Sequence, residues 1–521
     1  MKTAVIFHRL GPYHFARLRA AGRLLPVTAI ETSGADETYA WDQVAGADGF
    51  ERVTLFADAD AQKQPAQEVA RCMAAALDKI QPQVVAVPGW ADAAALAALQ
   101  WCIQNRVPAI FMSESTAGDE PRKPWKEYIK RRIVTLGAAG LAGGTPHRDY
   151  LARLGMPVGQ IFLGYDAVDN SYFADKVAEV RSQKSGVRIG TAENGNLKPE
   201  FQVSGFRVSA FHDASPLASG LPTPSSQLPA PVSAAGPSDL RPLTSDLCSP
   251  VSDLQSPPSA NCQLPSTPYF LASARFVEKK NLPRLIAAYA RYRTLCEARS
   301  REQGTNAKSE SQKSEFQVSG FSSPPSANCQ LPSSDLRPPT SDLWSLVLLG
   351  DGPLRSDLCH RISDLRLQSF VLLPGFKQYH ELPAYYAAAG AFIHASTTEQ
   401  WGLVVNEAMA SGLPVLVSNR CGCARDLVQD GVNGFTFDPY NVEQLAELMF
   451  QVSSSRSPGS DLRPLTSDLS QMGAASARLI SAWGPDRFAS GLKAAAECAL
   501  RIGLVKPSLL QRTILQALII R

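Results

Sequence analysis

The sequence predicts an α/β protein with two parallel-sheet domains facing across a cleft, interrupted by repeat-rich insertions. Three observations carry that expectation. The chain has 521 residues, too many for a single hydrophobic core. Short apolar runs alternate with helical patterns along both halves, the signature of parallel strands joined by helices. Several segments repeat one another, and they fall between the apolar runs and not within them.

In the first half, Thr3-Ala-Val-Ile-Phe7 reads as a buried strand, followed by a loop and a helix around residues 15–25. The runs 84–87 and 109–112 bracket a helix at 91–104. In the second half the strand candidates are Tyr269-Phe-Leu-Ala272, Ser345-Leu-Val-Leu-Leu349, Phe370-Val-Leu-Leu373, Ala391-Phe-Ile-His394 and Pro414-Val-Leu-Val417. Such sheets carry helices on both faces and gather ligands at the carboxyl ends of their strands, so both domains read as Rossmann-like. The implied map is an N-terminal domain over 1–183, a linker over 184–266 and a C-terminal domain over 267–480. Helices over 481–521 would pack back toward the first domain.

Composition narrows the function. Hydrophobic residues make up 45% and charged residues 19%, as in globular proteins, and 51 Lys+Arg against 48 Asp+Glu leave a net charge of +3. That balance offers no electrostatic footing for nucleic acid, and none is expected as a partner. No run of about 18 apolar residues occurs, so no membrane-spanning helix is expected. The apolar stretch near Met1 is too short for a signal peptide. The ten cysteines have no framework spacing, which points to free thiols and a cytoplasmic protein.

The repeats are specific. Glu200-Phe-Gln-Val-Ser-Gly-Phe206 recurs at 315–321, and Ser256-Pro-Pro-Ser-Ala-Asn-Cys-Gln-Leu-Pro-Ser266 recurs at 323–333. Ser238-Asp-Leu-Arg-Pro-Leu-Thr-Ser-Asp-Leu247 recurs at 460–469 and, with one change, at 334–343. No copy has an apolar stripe that could stack on a neighbour, so these are not solenoid units. A partner-binding linker is one reading. Inserted sequence accepted at surface connections is the favoured one, because lengthening a loop costs little. The blocks are 184–266, 302–343 and 453–470, each expected in a connection, and removing them leaves on the order of 380 residues for two domains.

The chemistry concentrates in Ser396-Thr-Thr-Glu399-Gln-Trp-Gly402-Leu-Val-Val-Asn-Glu407-Ala-Met-Ala-Ser-Gly412. A strand ends near His394, Gly402 permits a tight approach, and a helix follows over 403–410. Glu399 then lies in the loop at the strand's end and Glu407 inside the helix. The first-turn amides at Gly402, Leu403 and Val404 form an anion site suited to phosphate. The two carboxylates suit the vicinal hydroxyls of sugars and riboses. Arg275 and Lys280, five apart after a strand, can reach one diphosphate, Arg through its fork and Lys as a point charge.

This segment resembles the Glu-x7-Glu signature of retaining, nucleotide-sugar-dependent glycosyltransferases of family 4, also known as glycosyl transferases group 1. The likeness extends to Leu271-Ala-Ser-Ala-Arg275…Lys280-Asn281 (with Ala274 where that family usually has Gly), to Gly350-Asp-Gly-Pro353, to Leu373-Pro-Gly375-Phe376, and to Gly422, Asp426, Gly431 and Gly434. A looser match covers His147-Arg-Asp-Tyr150 and Tyr165-Asp-Ala-Val-Asp169. The resemblance implies the two-Rossmann-domain B-type glycosyltransferase fold. It implies a nucleotide diphosphate sugar donor, a carbohydrate or lipid-linked acceptor, and a place in cell-surface polysaccharide or glycolipid synthesis. Arg275 and Lys280 would hold the diphosphate, Glu399 the sugar and Glu407 the ribose. Gly350 and Phe376 would line the donor pocket and Gly11 the acceptor side. No metal and no cofactor are expected. A sugar-nucleotide-binding scaffold without activity is the alternative.

Other motifs are weaker. In Gly11-Pro-Tyr-His14 the glycine is the natural backbone-approach position, though a plain strand-to-helix turn explains it too. His8 and His14 are candidates for acceptor contact. Ser113-Glu114 stand in the loop where many members of that family carry a His. Cys421-Gly-Cys423 lack the further ligands of a zinc site and read as small residues beside the donor pocket. Residues 122–132 hold six cations, one acid and interleaved aromatics. They read either as a solvated helix face or as a peripheral membrane contact on anionic lipid headgroups.

Replacing 190–262 with a short Gly/Ser linker is expected to leave the circular-dichroism spectrum and nucleotide-sugar binding unchanged. Loss of either would make the repeats part of the architecture.

Overall fold

The computed structural model describes residues 1–34, 44, 46–187, 264–314, 343–454 and 469–520. The repeated segments lie almost wholly outside the described residues, as do Cys248, Cys262 and Cys329. Seven strands form the first sheet: β1 (Thr3–Phe7), β2 (Val27–Ser33), β3 (Glu51–Phe56), β4 (Val84–Pro88), β5 (Ala109–Ser113), β6 (Ala139–Ala142) and β7 (Ile161–Leu163). Their order is β3-β2-β1-β4-β5-β6-β7, and every pairing is parallel. The helices of this half are α1 (Pro12–Gly22), α2 (Ala66–Ile80), α3 (Ala93–Asn105), α4 (Pro124–Val134), α5 (Thr145–Arg153) and α6 (Asn170–Val187).

The second sheet has six strands: β8 (Tyr269–Ser273), β9 (Ser345–Leu349), β10 (Val371–Gly375), β11 (Ala391–His394), β12 (Val415–Ser418) and β13 (Gly434–Phe437). It too is all parallel, in the order β10-β9-β8-β11-β12-β13. Its helices are α7 (Leu282–Ser314), α8 (Arg355–Asp364), α9 (Leu382–Ala388), α10 (Leu403–Ala410), α11 (Ala424–Leu427), α12 (Val442–Ser454) and α13 (Leu469–Ser481), followed by α14 (Pro485–Ile502) and α15 (Leu509–Ile520). In both sheets the winding reverses beside the first strand, between β1 and β4 and between β8 and β11. The crevice at such a reversal is where open sheets of this kind hold ligands.

Both sheets are sandwiched between helical layers. On the first, Val69, Met73 and Leu77 of α2 and Leu96 and Leu99 of α3 bury one face, and Leu18 of α1 with Leu492 of α14 buries the other. On the second, Leu285 and Tyr289 of α7, Leu358 of α8 and Met449 of α12 cover one face. Phe173 of α6, Tyr386 of α9 and Val405 and Met409 of α10 cover the other. The chain returns at its end: α14 packs on α1, β6 and β7, and α15 on α2, α3 and α4. Among the described residues no helix is long and apolar enough to cross a membrane.

The structure shifts several expected limits. The first helix starts at Pro12, not near 15, because Pro12 fits the first helical turn and the Gly11 N–H is capped by the His14 ring at 3.1 Å. Asp92 caps α3 by accepting from the amides of Ala94 and Ala95 at 2.8 and 3.2 Å, so that helix starts at Ala93 and not at 91. The boundary expected at 183 falls inside α6, whose Phe173 and Val177 are buried in the second domain's core. The insertion limits are also too wide. The helix expected to end near Arg299 runs to Ser314, α12 reaches Ser454 and α13 begins at Leu469.

One close approach ties β8 to β9. Gly350 has φ +124°, and a Cβ there would lie 1.9 Å from the Ala274 carbonyl oxygen. Gly350→Ala is therefore expected to cost at least about 2 kcal/mol, measured as a lowered urea midpoint. An unchanged midpoint would contradict the packing described here. By contrast, a Cβ at Gly11 meets only the His14 ring at 3.9 Å. Gly11→Ala should leave the midpoint unchanged.

Candidate active site

The loop 396–402 leaves β11 and carries Glu399 into the cleft, where it is held from several sides. The Gly422 N–H donates to the Glu399 carbonyl at 3.0 Å, and the Cys423 N–H to the Trp401 carbonyl at 3.2 Å. A Cβ at Gly422 would sit 1.6 Å from the Gln400 carbonyl oxygen, so the Cys421–Cys423 segment lies against the loop backbone to backbone. Both thiols are buried, as expected of small packing residues. The first domain contributes as well. His147 Nδ1 accepts from the Gly144 N–H at 3.0 Å, which leaves Nε2 to donate to the Gln400 carbonyl at 2.8 Å. Burial lowers the His147 pKa and favours that neutral tautomer. Thr398 donates to the Asp119 carbonyl at 3.0 Å, and the Thr145 N–H to Asp426 at 2.7 Å.

Glu399 is nearly buried and ionised. Burial alone would raise its carboxyl, but His394 and Lys280 outweigh that and hold it well below the usual carboxylate range. Lys280 donates to it directly, and His394 Nε2 lies 3.3 Å away, neutral because burial lowers its own pKa. Lys280 thus forms an ion pair with Glu399. Arg275 is exposed on the same loop after β8. Gly402, at φ +105°, caps α10 in the left-handed region, and a Cβ there would face His394 and Glu399 at 3.4 and 3.6 Å. Leu403 and Val404, in the first turn of α10, are partly buried and pack against the second domain's core.

Glu407 behaves in the opposite way. It is 0% exposed, and burial pushes its carboxyl up to about 7 against the lowering effect of two tyrosines. Tyr13, from the first domain, donates to Oε1, and Tyr386, from α9, donates to Oε2 at 2.7 Å. The sequence pattern found Glu407 but neither tyrosine, since both come from distant segments. Tyr13 also packs on Tyr379, ring centroids 5.6 Å apart, which stacks in turn on Tyr172.

The other expected residues are placed less centrally. Gly350 packs against Ala274, as described above. Phe376, 38% exposed, follows the left-handed Gly375 at the end of β10. His14 caps α1 and lies on Phe7, and burial with Arg17 pushes it down to about 3. His8 lies 3.7 Å from Asp60. The sequence holds one Asp-x-Asp, Asp58-Ala-Asp60, the pattern that metal-dependent transferases use. Asp60 there caps a short turn through the Gln62 N–H at 2.9 Å. In 122–132 two cations are already matched: Arg122 by Asp119, Glu120 and Glu127, and Lys130 by Glu120 and Glu127. Trp125 (56%) and Tyr128 (48%) are exposed, with Lys123, Lys126 and Arg131 beside them.

The raised carboxyl has a measurable consequence. Folded Glu407 at about 7 holds a proton that the unfolded chain, near the ordinary 4.5, has already lost. Its contribution to stability is full below the unfolded value and is lost as pH rises through about 7. Thermal melts of wild type and Glu407→Gln between about pH 5 and 8 should therefore diverge, the Gln variant gaining relative stability as pH rises. A constant difference would show that the buried carboxyl is not protonated.

Comparison with known proteins bears on family and fold. A family profile described as "Glycosyl transferases group 1" matches residues 334–464. The sulfoquinovosyl transferase SQD2 of Arabidopsis thaliana is 39% identical over 101 residues, 19% of this chain and 19% of its own length. An alpha-monoglucosyldiacylglycerol synthase of Streptococcus pneumoniae is 43% identical over 75 residues, 14% of this chain and 17% of its own. The chain thus matches under a fifth of the length of these relatives. Over most of the chain the likeness is one of fold. Anabaena Alr3699/HepE, solved in complex with UDP, aligns with TM-score 0.54 and 14% identity over 95% of this chain and 98% of its own. The sucrose-phosphate synthase of Thermosynechococcus elongatus aligns with TM-score 0.53 and 14% identity over 94% and 97%. Residues 334–464 are a glycosyl transferases group 1 domain, and the described chain has the two-Rossmann-domain B-type glycosyltransferase fold.

Proposed function

We propose that this chain transfers a sugar from a nucleotide diphosphate sugar to an acceptor hydroxyl with retention of configuration. The observation that carries the reading is the pairing on Glu407. Two phenol hydroxyls stand on its two carboxylate oxygens, one each, which is the pattern a ribose offers with its adjacent hydroxyls. The ribose would take the place of Tyr13. Glu399, kept ionised, accepts from hydroxyls of the transferred sugar. Phe376 offers a ring to the base, Gly350 lines the same rim, and Gly11 leaves open space on the acceptor side.

The chemistry follows from charge. As the bond from the anomeric carbon to the diphosphate breaks, its electron pair stays on the phosphate oxygen. Arg275, Lys280 and the first-turn amides at Gly402, Leu403 and Val404 stabilise that charge. The acceptor oxygen bonds to the carbon on the same face, and its proton passes to the leaving phosphate oxygen. Lys280 would turn from Glu399 to the diphosphate as the donor binds. Relatives named for diacylglycerol glucosides and sulfoquinovosyl transfer support a glycolipid or polysaccharide acceptor. The exposed Trp125, Tyr128, Lys123, Lys126 and Arg131 support peripheral contact with an anionic membrane.

Glu407→Ala is expected to lower kcat/KM for the donor by about 30-fold or more, or about 2 kcal/mol, the scale of leaving a buried hydrogen-bonding group without its partner. An unchanged value would remove Glu407 from the donor site. With Arg275 and Lys280 supplying the positive charge, activity should also survive EDTA. Inactivation by chelator with rescue by Mg²⁺ or Mn²⁺ would contradict the charge argument.

A further inference from the structure

The first turn of α5, in the first domain, is left unfinished by its own sequence. Its N-cap is Gly144, which has no side chain to accept from the helix amides. The second domain supplies the cap instead. Asp426, in α11, accepts from the Thr145 N–H at 2.7 Å and from the Thr145 hydroxyl as well. A carboxylate there also meets the positive end of the helix dipole. The approach needs glycine, since a Cβ at Gly144 would lie 2.3 Å from Asp426 Oδ2 and 2.5 Å from the Trp401 ring.

His147, in the same turn, is 0% exposed and joins the same two domains. Its Nδ1 is taken by the Gly144 N–H of its own helix end, so the bond that crosses the cleft runs from Nε2 to the Gln400 carbonyl at 2.8 Å. The ring lies against Trp401, centroids 5.7 Å apart, and the Trp401 indole donates to Asn406 of α10 at 2.9 Å. Gln400 and Trp401 directly follow Glu399, and Asn406 directly precedes Glu407. On the loop's other side, a Cβ at Gly422 would lie 1.6 Å from the Gln400 carbonyl oxygen and 3.0 Å from His147 Cε1. The loop is therefore clamped between α5 and the 421–423 segment. The Arg425–Asp149 pair between α5 and α11 is exposed and contributes little beside these contacts.

We propose that His147 and Asp426 are positioning residues. By docking the first turn of α5 on the loop after β11, they hold Glu399 where the hydroxyls of the transferred sugar meet it. The inference rests on the transfer reading above. Both residues act through the loop and take no part in bond breaking.

The test uses the full chain. Hydrolysis of UDP-glucose, GDP-mannose and ADP-glucose is followed kinetically, and amide hydrogen exchange over 396–423 by mass spectrometry. His147→Asn keeps an amide oxygen where Nδ1 stands, and with it the bond from Gly144. His147→Gln keeps an amide nitrogen where Nε2 stands, and with it the bond to Gln400. His147→Asn should lower kcat at least ~10-fold with donor KM within ~2-fold, because Glu407 and Arg275 lie outside the loop. His147→Gln should return kcat to within ~3-fold of wild type. Exchange over 396–423 should quicken at least ~10-fold in His147→Asn and in Asp426→Ala, and stay near wild type in His147→Gln. Asp426→Ala, on the opposite domain, gives the reading if the His147 variants do not fold. Wild-type kcat in His147→Asn, or an equal loss in His147→Asn and His147→Gln, would reduce His147 to packing and overturn the inference while the transfer reading stands. Unchanged exchange over 396–423 would overturn it as well. A wild type that neither binds nor hydrolyses any of the three nucleotide sugars would remove the transfer reading, and the positioning role with it, whatever the exchange pattern.

Discussion

Two carboxylates buried in one cleft cannot both stay charged unless something in the protein compensates each of them. Glu399 and Glu407, eight positions apart, meet that constraint in opposite ways. Glu399 is ionised beside Lys280 and a neutral His394. Glu407 has its carboxyl raised to about 7 and a tyrosine on each oxygen. On the proposed reading the split suits them to different ligands: a fixed anion to the hydroxyls of the transferred sugar, and a carboxyl already matched by hydroxyls to a ribose that displaces Tyr13.

The second consequence is mechanical. The loop carrying Glu399 is not a free rim of the second domain. Its carbonyls are taken by Gly422, Cys423 and His147, and Thr398 reaches the Asp119 carbonyl in the first domain. Tyr13 adds a link across the cleft at Glu407. The described state therefore links the two domains at both carboxylate-bearing segments. On the proposed reading a ribose would take the place of Tyr13 on Glu407, and that one hydroxyl would couple the domains to nucleotide binding.

Much of this was legible in the residue order. The apolar runs at 3–7, 84–87, 109–112, 269–272, 345–349 and 391–394 all form strands, because parallel strands buried on both faces are continuously apolar. β2 was not legible. All seven of its residues are buried, yet Thr28, Glu31, Thr32 and Ser33 are polar, and Glu31 is satisfied by distant donors: the Leu10 amide at 2.8 Å, Arg52 at 2.7 Å and the Thr54 hydroxyl at 2.9 Å. In the site, the local string around Glu399 and Glu407 was readable because both lie within one turn-and-helix unit. Their partners were not. Lys280 was found as a cation but not as the partner of Glu399, and Tyr13 and His147 lie more than 200 positions from the loop. Tertiary structure alone brings them there. The length of α7 was missed for another reason: residues 300–314 have no apolar stripe to mark a helix, though most of them tolerate one.

The central claim is that Glu407 recognises a ribose by its adjacent hydroxyls. Isothermal titration of the full chain with matched pairs of ribo- and 2′-deoxyribonucleoside diphosphates of uridine, guanosine and adenosine tests it directly. For the base that the protein accepts, the ribonucleotide should bind at least ~10-fold more tightly, the loss expected when a buried acceptor keeps no partner. Equal affinity for the two sugars would mean that Tyr13 and Tyr386 are permanent partners of Glu407 and that the ribose binds elsewhere.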